Sequence, residues 1–146
     1  MSDLGIYDSH EAEIVAALQG LDGVIDIRPT LSMGDLLSRD APRRDCIGIA
    51  EGEAQPIGEP RIGTRLQEAL VTWELSVIAV NDRGAVNGRP KLRKIVEGIH
   101  DRVHGLASTV VPNQKYRWAG EEPVDTANQA LCAKVVKFHI RTYFGR

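Results

Sequence analysis

The stretch LQEALVTWELSVIAVND, residues 66–82, limits the possible folds more than any other part of this chain. Taken two residues at a time, Val71, Trp73, Leu75, Val77 and Ala79 fall on one face, and Thr72, Glu74 and Ser76 fall on the other. A strand this long with one dry face needs hydrogen-bonding neighbours along its edges and an apolar layer on top. Every other element of the fold must supply one or the other.

A second run, ALCAKVVKFHIRTYF, meets the first need. Lys134, Val136, Phe138, Ile140 and Thr142 alternate with Val135, Lys137, His139 and Arg141, so another long strand is expected. Shorter strands are expected in GVIDIRP, closed by Pro29, and in KYRWAGEEPV, with Tyr116 and Trp118 on one face. The segment CIGIAEGE is apolar from Cys46 to Ala50 and charged from Glu51, so it should run outward from the core. From Glu51 to Arg65, glycine, proline and mixed charge without periodicity predict a long loop or hairpin arm at about 51–66.

Two helices provide the covering layer. In the first, Asp8 with Glu11 three residues on has the form of a helix cap, and Ile14, Ala17, Leu18 and Leu21 recur at helical spacing up to Asp22 and Gly23. The second is PKLRKIVEGIHDRVHGL, with Leu92, Ile95, Val96, Ile99, Val103 and Leu106 in one stripe, Pro90 in the first turn and Gly105 near the end. TLSMGDLLSRDAPRRD is an exposed excursion in which Leu36 and Leu37 pack as a single helical turn. The resulting order is helix, two strands, long loop, strand, helix, two strands. That order is an α+β fold: one antiparallel or mixed sheet with two main helices packed on one face.

At 146 residues the chain suits one domain, 1–146, with one core. A formal charge of −2 provides no global basic field of the kind non-specific nucleic-acid binding uses. No segment approaches the roughly 20 apolar residues that span a bilayer, so no membrane partner is expected. The amino end, MSDLGIYDSHEAEIV, lacks the charge and apolar run of a signal peptide, which suggests a cytoplasmic setting. Cys46 and Cys132 stand outside any CxxC spacing and fit free thiols in a reducing compartment.

Chemistry is sparse. Glu97, His100 and His104 share a helix face at turn spacing and are the best metal candidates. In zinc proteases the glutamate directly follows the first histidine. Here that position holds Asp101, no third ligand is identifiable, and both histidines flank the apolar stripe. Arg89, Lys91, Arg93 and Lys94 at the start of that helix are a candidate phosphate cradle, although a solvated helix face explains them as well. The serines lack a GxSxG elbow, and the Cys46 thiol in an apolar strand should stay protonated. No catalytic residue, cofactor or specific nucleic-acid partner is expected.

The segments EAEIVAAL, CIGIAEGE, ALVTWELSVIAVNDRG, LRKIVEGIHDRVHGL, YRWAGEEPV and AKVVKFHIRTYF, in that order, cover nearly the whole chain. Through them it resembles the phage tail-completion or tail-terminator proteins of Mu-like prophages. The resemblance implies a structural virion protein of the tail-to-head junction, made in the bacterial host cytoplasm and ending in the virion tail. Such proteins form a homo-oligomeric ring, commonly a hexamer, that caps the tail tube, ends its polymerisation and meets the neck or connector proteins. The arm, with Glu51, Glu53, Glu59, Arg61 and Arg65 of both signs, suits pairing with complementary charge on a neighbour. The alternatives are a neck or head-completion connector and, in another class, a metal-binding α+β protein or enzyme using Glu97, His100 and His104.

Overall fold

The computed structural model describes residues 5–21, 25–29, 31–38, 44–60, 62–81, 85–126 and 130–145, with the backbone alone for 85–88. Among these, the helices are α1 (Ile6–Leu18), α2 (Met33–Ser38) and α3 (Ala85–Val103). The strands are β1 (Asp26–Pro29), β2 (Cys46–Pro56), β3 (Gln67–Val80), β4 (Arg117–Val124) and β5 (Leu131–Phe144). The strands form one five-stranded mixed sheet in the order β1-β2-β3-β5-β4. Only β1 runs parallel to its neighbour.

The two long alternating runs pair with each other over their full length, from Gln67 opposite Phe144 to Val80 opposite Leu131. Partners across an antiparallel ladder share a face, so Trp73 lies over Phe138, Leu75 over Val136 and Val71 over Ile140. All six are buried, and together with Ile47 and Ile49 of β2 they form the floor under α1 and α3. Burying an aliphatic or aromatic side chain of this size contributes roughly 1.5–3 kcal/mol. The floor therefore anchors the domain.

α3 meets that floor through Ile95, Val96, Ile99 and Val103, with Leu92 and Leu106 half-buried at the ends of the stripe. It begins at Ala85, so Pro90 lies inside the helix and not in its first turn. Residues 82–84 of the preceding turn lie outside the described residues. α1 buries His10, Ile14 and Leu18. Its start also differs from the sequence expectation: the helix opens at Ile6 on a Gly5 cap without a side-chain acceptor, and Asp8 falls in the first turn, where its charge favours the helix dipole. α1 ends at Leu18, and Asp22 and Gly23 lie outside the described residues. Arg102 of α3 donates to the Ala17, Gln19 and Gly20 carbonyls and so satisfies the end of α1 from another helix. α3 comes close at Gly98 to the segment just past α1, where a Cβ would come within 2.8 Å of Leu21 Cδ2.

The opposite face of the sheet is not bare. α2 carries a reciprocal cap, in which the Ser32 hydroxyl accepts from the Asp35 N–H and the Asp35 carboxylate accepts from the Ser32 N–H and hydroxyl. It packs Leu36 on Cys46, Ile78, Leu131 and Ala133. The single turn expected around Leu36 and Leu37 is thus a six-residue helix that covers one end of the second face. Gly48 permits this approach, because a Cβ there would lie 2.5 Å from the Leu31 carbonyl oxygen. The long loop or hairpin arm expected at 51–66 is a hairpin whose first half belongs to the sheet: β2 pairs with β3 as far as Pro56 opposite Ala69, past an irregularity between Glu51 and Ala54.

Candidate functional site

Glu97, His100 and His104 point to different surroundings. Glu97 is exposed on α3. The His100 ring packs edge-on against Trp118 and Phe138, with centroids 5.4 and 5.8 Å away, and its Nε2 lies 3.8 Å from Glu121 Oε1. His104 Nδ1 accepts the Trp118 backbone N–H at 3.0 Å, so that lone pair is already used. Both histidines fasten α3 to the edge strand β4. Among the described residues, no three His, Cys, Asp or Glu side chains gather as a metal site.

The basic residues of α3 also separate. Because the helix starts at Ala85, Arg89 to Lys94 lie within it and not at its amino end. Lys91 turns back to the sheet, donating to the Val80 carbonyl at 2.8 Å and pairing with Asp45 at 3.1 Å. Arg89 and Arg93 instead open onto a groove of about 1090 Å³ between α3 and the β4–β5 edge of the sheet. A cradle that needs all four cations on one anion does not form.

This groove is a broad concavity. Its lining is apolar at Leu92, Val96, Val124 and Cys132 and carries both signs, with Glu97, Glu121 and Asp125 beside Arg89, Arg93 and Lys134. The buried Oε2 of Glu121 makes no hydrogen bond. Lys134 Nζ stands 3.5 Å from it, close enough for ionic attraction but without hydrogen-bond geometry, so the oxygen retains accepting capacity. Beside the groove Trp118 is 47% exposed. Trp118 and Ile62 are the large hydrophobic side chains that stand exposed among the described residues.

Ile62 belongs to the other surface singled out by sequence, the hairpin. Glu51 and Glu53 are exposed on β2, whose outer edge has no paired strand beyond Ile49 among the described residues. Glu53 Oε1 accepts from Gln55 Nε2 at 2.8 Å. Glu59 and Arg65 are exposed on the tip, and Arg61 lies outside the described residues. Gln67 Nε2 donates to the Ile57 and Gly58 carbonyls and secures the base of the tip.

A buried polar network was not foreseen from the sequence. His10 Nδ1 lies 2.8 Å from the Tyr116 hydroxyl and His10 Nε2 lies 3.3 Å from Thr142 Oγ1. The Tyr116 hydroxyl donates to Glu13 Oε1 at 2.9 Å, which makes it an acceptor from His10 Nδ1–H and leaves Nε2 to accept from Thr142. Ser108 and Thr109 also donate to Glu13. Burial holds the His10 pKa below its ordinary value of 6.5 against the pull of Glu13. For Glu13 burial alone would raise the pKa, but the donors from Thr109, Ser108 and Tyr116 outweigh it, and the net shift is downward. Burial first, and then Glu13, push the Tyr116 hydroxyl upward. His10 and Thr142 are almost wholly buried, so a substrate has no route to them. The arrangement ties α1, the segment after α3 and β5 together. The one trace it left in the sequence is a histidine at the stripe spacing His10, Ile14, Leu18.

Cys46 is buried, and burial pushes its thiol up to about 11, which leaves it without nucleophilic character at neutral pH. Among the described residues, no helix is long and apolar enough to cross a membrane.

No protein-family model matches the chain, and no curated protein matches it. A similar solved structure is a chain described as from the "Virion of native gene transfer agent (GTA) particle". The match has a TM-score of 0.53 at 10% sequence identity and covers 94% of this chain and 91% of that one. At that identity the likeness is one of fold, and it extends over almost all of both chains.

Proposed function

We propose that this chain is a structural subunit of a phage-like particle, acting at the tail-to-head junction as a ring that caps the tail tube and ends its polymerisation. The observation that carries the reading is the near full-length fold likeness to a chain of a gene transfer agent virion, a phage-like particle. It agrees in kind with the tail-terminator resemblance along the sequence. The role is mechanical: the subunit supplies surfaces, and no reaction is assigned to it.

A ring of identical subunits needs two different surfaces on each subunit that fit one another. The hairpin with exposed Glu51, Glu53, Glu59 and Arg65, together with Arg61, is one such surface, and the groove beside α3 is another. The partners are further copies of the chain, the tail tube and the neck or connector proteins, and the final location is the virion tail.

Mass by light scattering combined with particle images by electron microscopy tests this. The expected result is a closed, six-fold ring that binds the ends of tail tubes. A chain that stays monomeric at every accessible concentration, or a ring that ignores tube ends and binds only head connectors, overturns the terminator reading.

A further inference from the structure

We propose that α3 has two alternative starts, Ala85 and Pro90, and that exchange between them moves Arg89 into and out of the groove beside the helix, changing the charge the groove presents. This goes beyond the ring reading and does not depend on it.

Three observations meet at this end of α3. First, the helix runs from Ala85 with Pro90 inside it. A proline there has no N–H to give the Val86 carbonyl, its ring crowds that carbonyl, and it disfavours helical backbone at Arg89, the residue ahead of it. Asn87 and Gly88 add two weak helix formers. As the first helical residue, by contrast, Pro90 forfeits no bond and already holds the right backbone angle. Local sequence therefore works against the helix in its first five residues.

Second, unwinding from Ala85 has a place to stop. Directly after Pro90, Lys91 Nζ donates to the Val80 carbonyl at 2.8 Å and pairs with Asp45 at 3.1 Å. Leu92 then packs against the core and begins the stripe that continues to Val103. A shorter α3 keeps all of these contacts.

Third, Arg89 lies on the far side of that stop and yet lines the groove, one turn before Arg93. Apart from His100, the groove with Arg89 in place sets three cations, Arg89, Arg93 and Lys134, against three carboxylates, Glu97, Glu121 and Asp125. Without Arg89 the carboxylates are in excess. The longer start therefore gives a balanced groove and the shorter start a negative one.

NMR of the full chain tests the two starts, with the Cα chemical shifts of residues 85–89 as the readout. In the wild type they should lie between helix and coil values while residues 92–103 are fully helical. Pro90→Ala restores the N–H and should move the five to helical values without altering the rest of α3. The groove charge is read at Cys132, which lines the groove, whereas Cys46 is buried. The rate of its alkylation by anionic iodoacetate relative to neutral iodoacetamide cancels any change in the thiol itself. Pro90→Ala should raise that ratio by up to roughly twofold, the effect of one charge about 8 Å away in water. Wild-type shifts at either extreme, shifts that Pro90→Ala does not move, or an unchanged alkylation ratio overturn the proposal.

Discussion

The two long helices cover the same face of the sheet, but different chemistry holds them there. α3 presents Ile95, Val96, Ile99 and Val103 to the floor, and its attachment is mainly apolar. α1 contributes Ile14 and Leu18 but sets His10 in line with them, and that histidine joins Tyr116, Thr142 and Glu13. Apolar contacts are non-directional, so what places α3 is the close fit of its stripe on the floor. A hydrogen-bonded attachment fixes position and register, and it makes the first helix answerable to a segment more than a hundred residues away.

The largest break in this comparison is expected on the apolar side. Ile99→Ala opens a cavity at a fully buried site between α3 and the sheet and should cost about 2–5 kcal/mol in urea unfolding. A loss under 1 kcal/mol would mean that α3 is held by something other than its stripe. On the polar side, Tyr116→Phe preserves shape but removes the hydroxyl shared by His10 and Glu13, and should cost about 1–3 kcal/mol. Hydrogen exchange should then quicken in α1 more than in α3, and uniform quickening would show that the two attachments are not separate.

The gentlest probe is acidity. The folded pKa of His10 lies below 6.5, so as pH falls through 6.5 the unfolded chain takes up the proton first. Stability from this group is present above 6.5 and is lost as pH falls toward its folded value. Glu13, depressed below its ordinary 4.5, extends the loss to lower pH with the same sign. Unfolding midpoints measured from pH 7.5 downward should fall, and His10→Gln should flatten the upper part of that decline. A midpoint independent of pH across both ranges would remove the network from the stability of α1.

The same contrast explains what could be read in the sequence. The faces of β3 and β5 and the stripe of α3 follow from local periodicity, and Trp73, Phe138 and Ile99 are buried where alternation places them. Local pattern carries no information about contacts such as His10 with Thr142, or about Arg102 of α3 capping α1. It also misplaced the start of α3, because Pro90 in a helix is a stronger local signal than the five residues before it. Gly48 reads as a weak strand residue, and its reason appears only when Leu31 lies against it. The groove was invisible for the same cause: its lining comes from α3, β4 and β5, and only the pairing of strands brings Glu121 under His100.

The placement of β5 has a consequence for how the fold comes into being. Among the described strands it is the last in chain order, yet it lies inside the sheet, with β3 on one side and β4 on the other. Until it arrives, the apolar floor is missing Val136, Phe138 and Ile140, and β4 has no partner strand. Pairing across so long an intervening chain is slow, and a waiting β2–β3 hairpin with one greasy face is prone to sticking to its like. The groove beside α3 is itself partly made of β5. A half-made chain therefore has the β2–β3 hairpin without the groove, and the two surfaces exist together only once the sheet has closed.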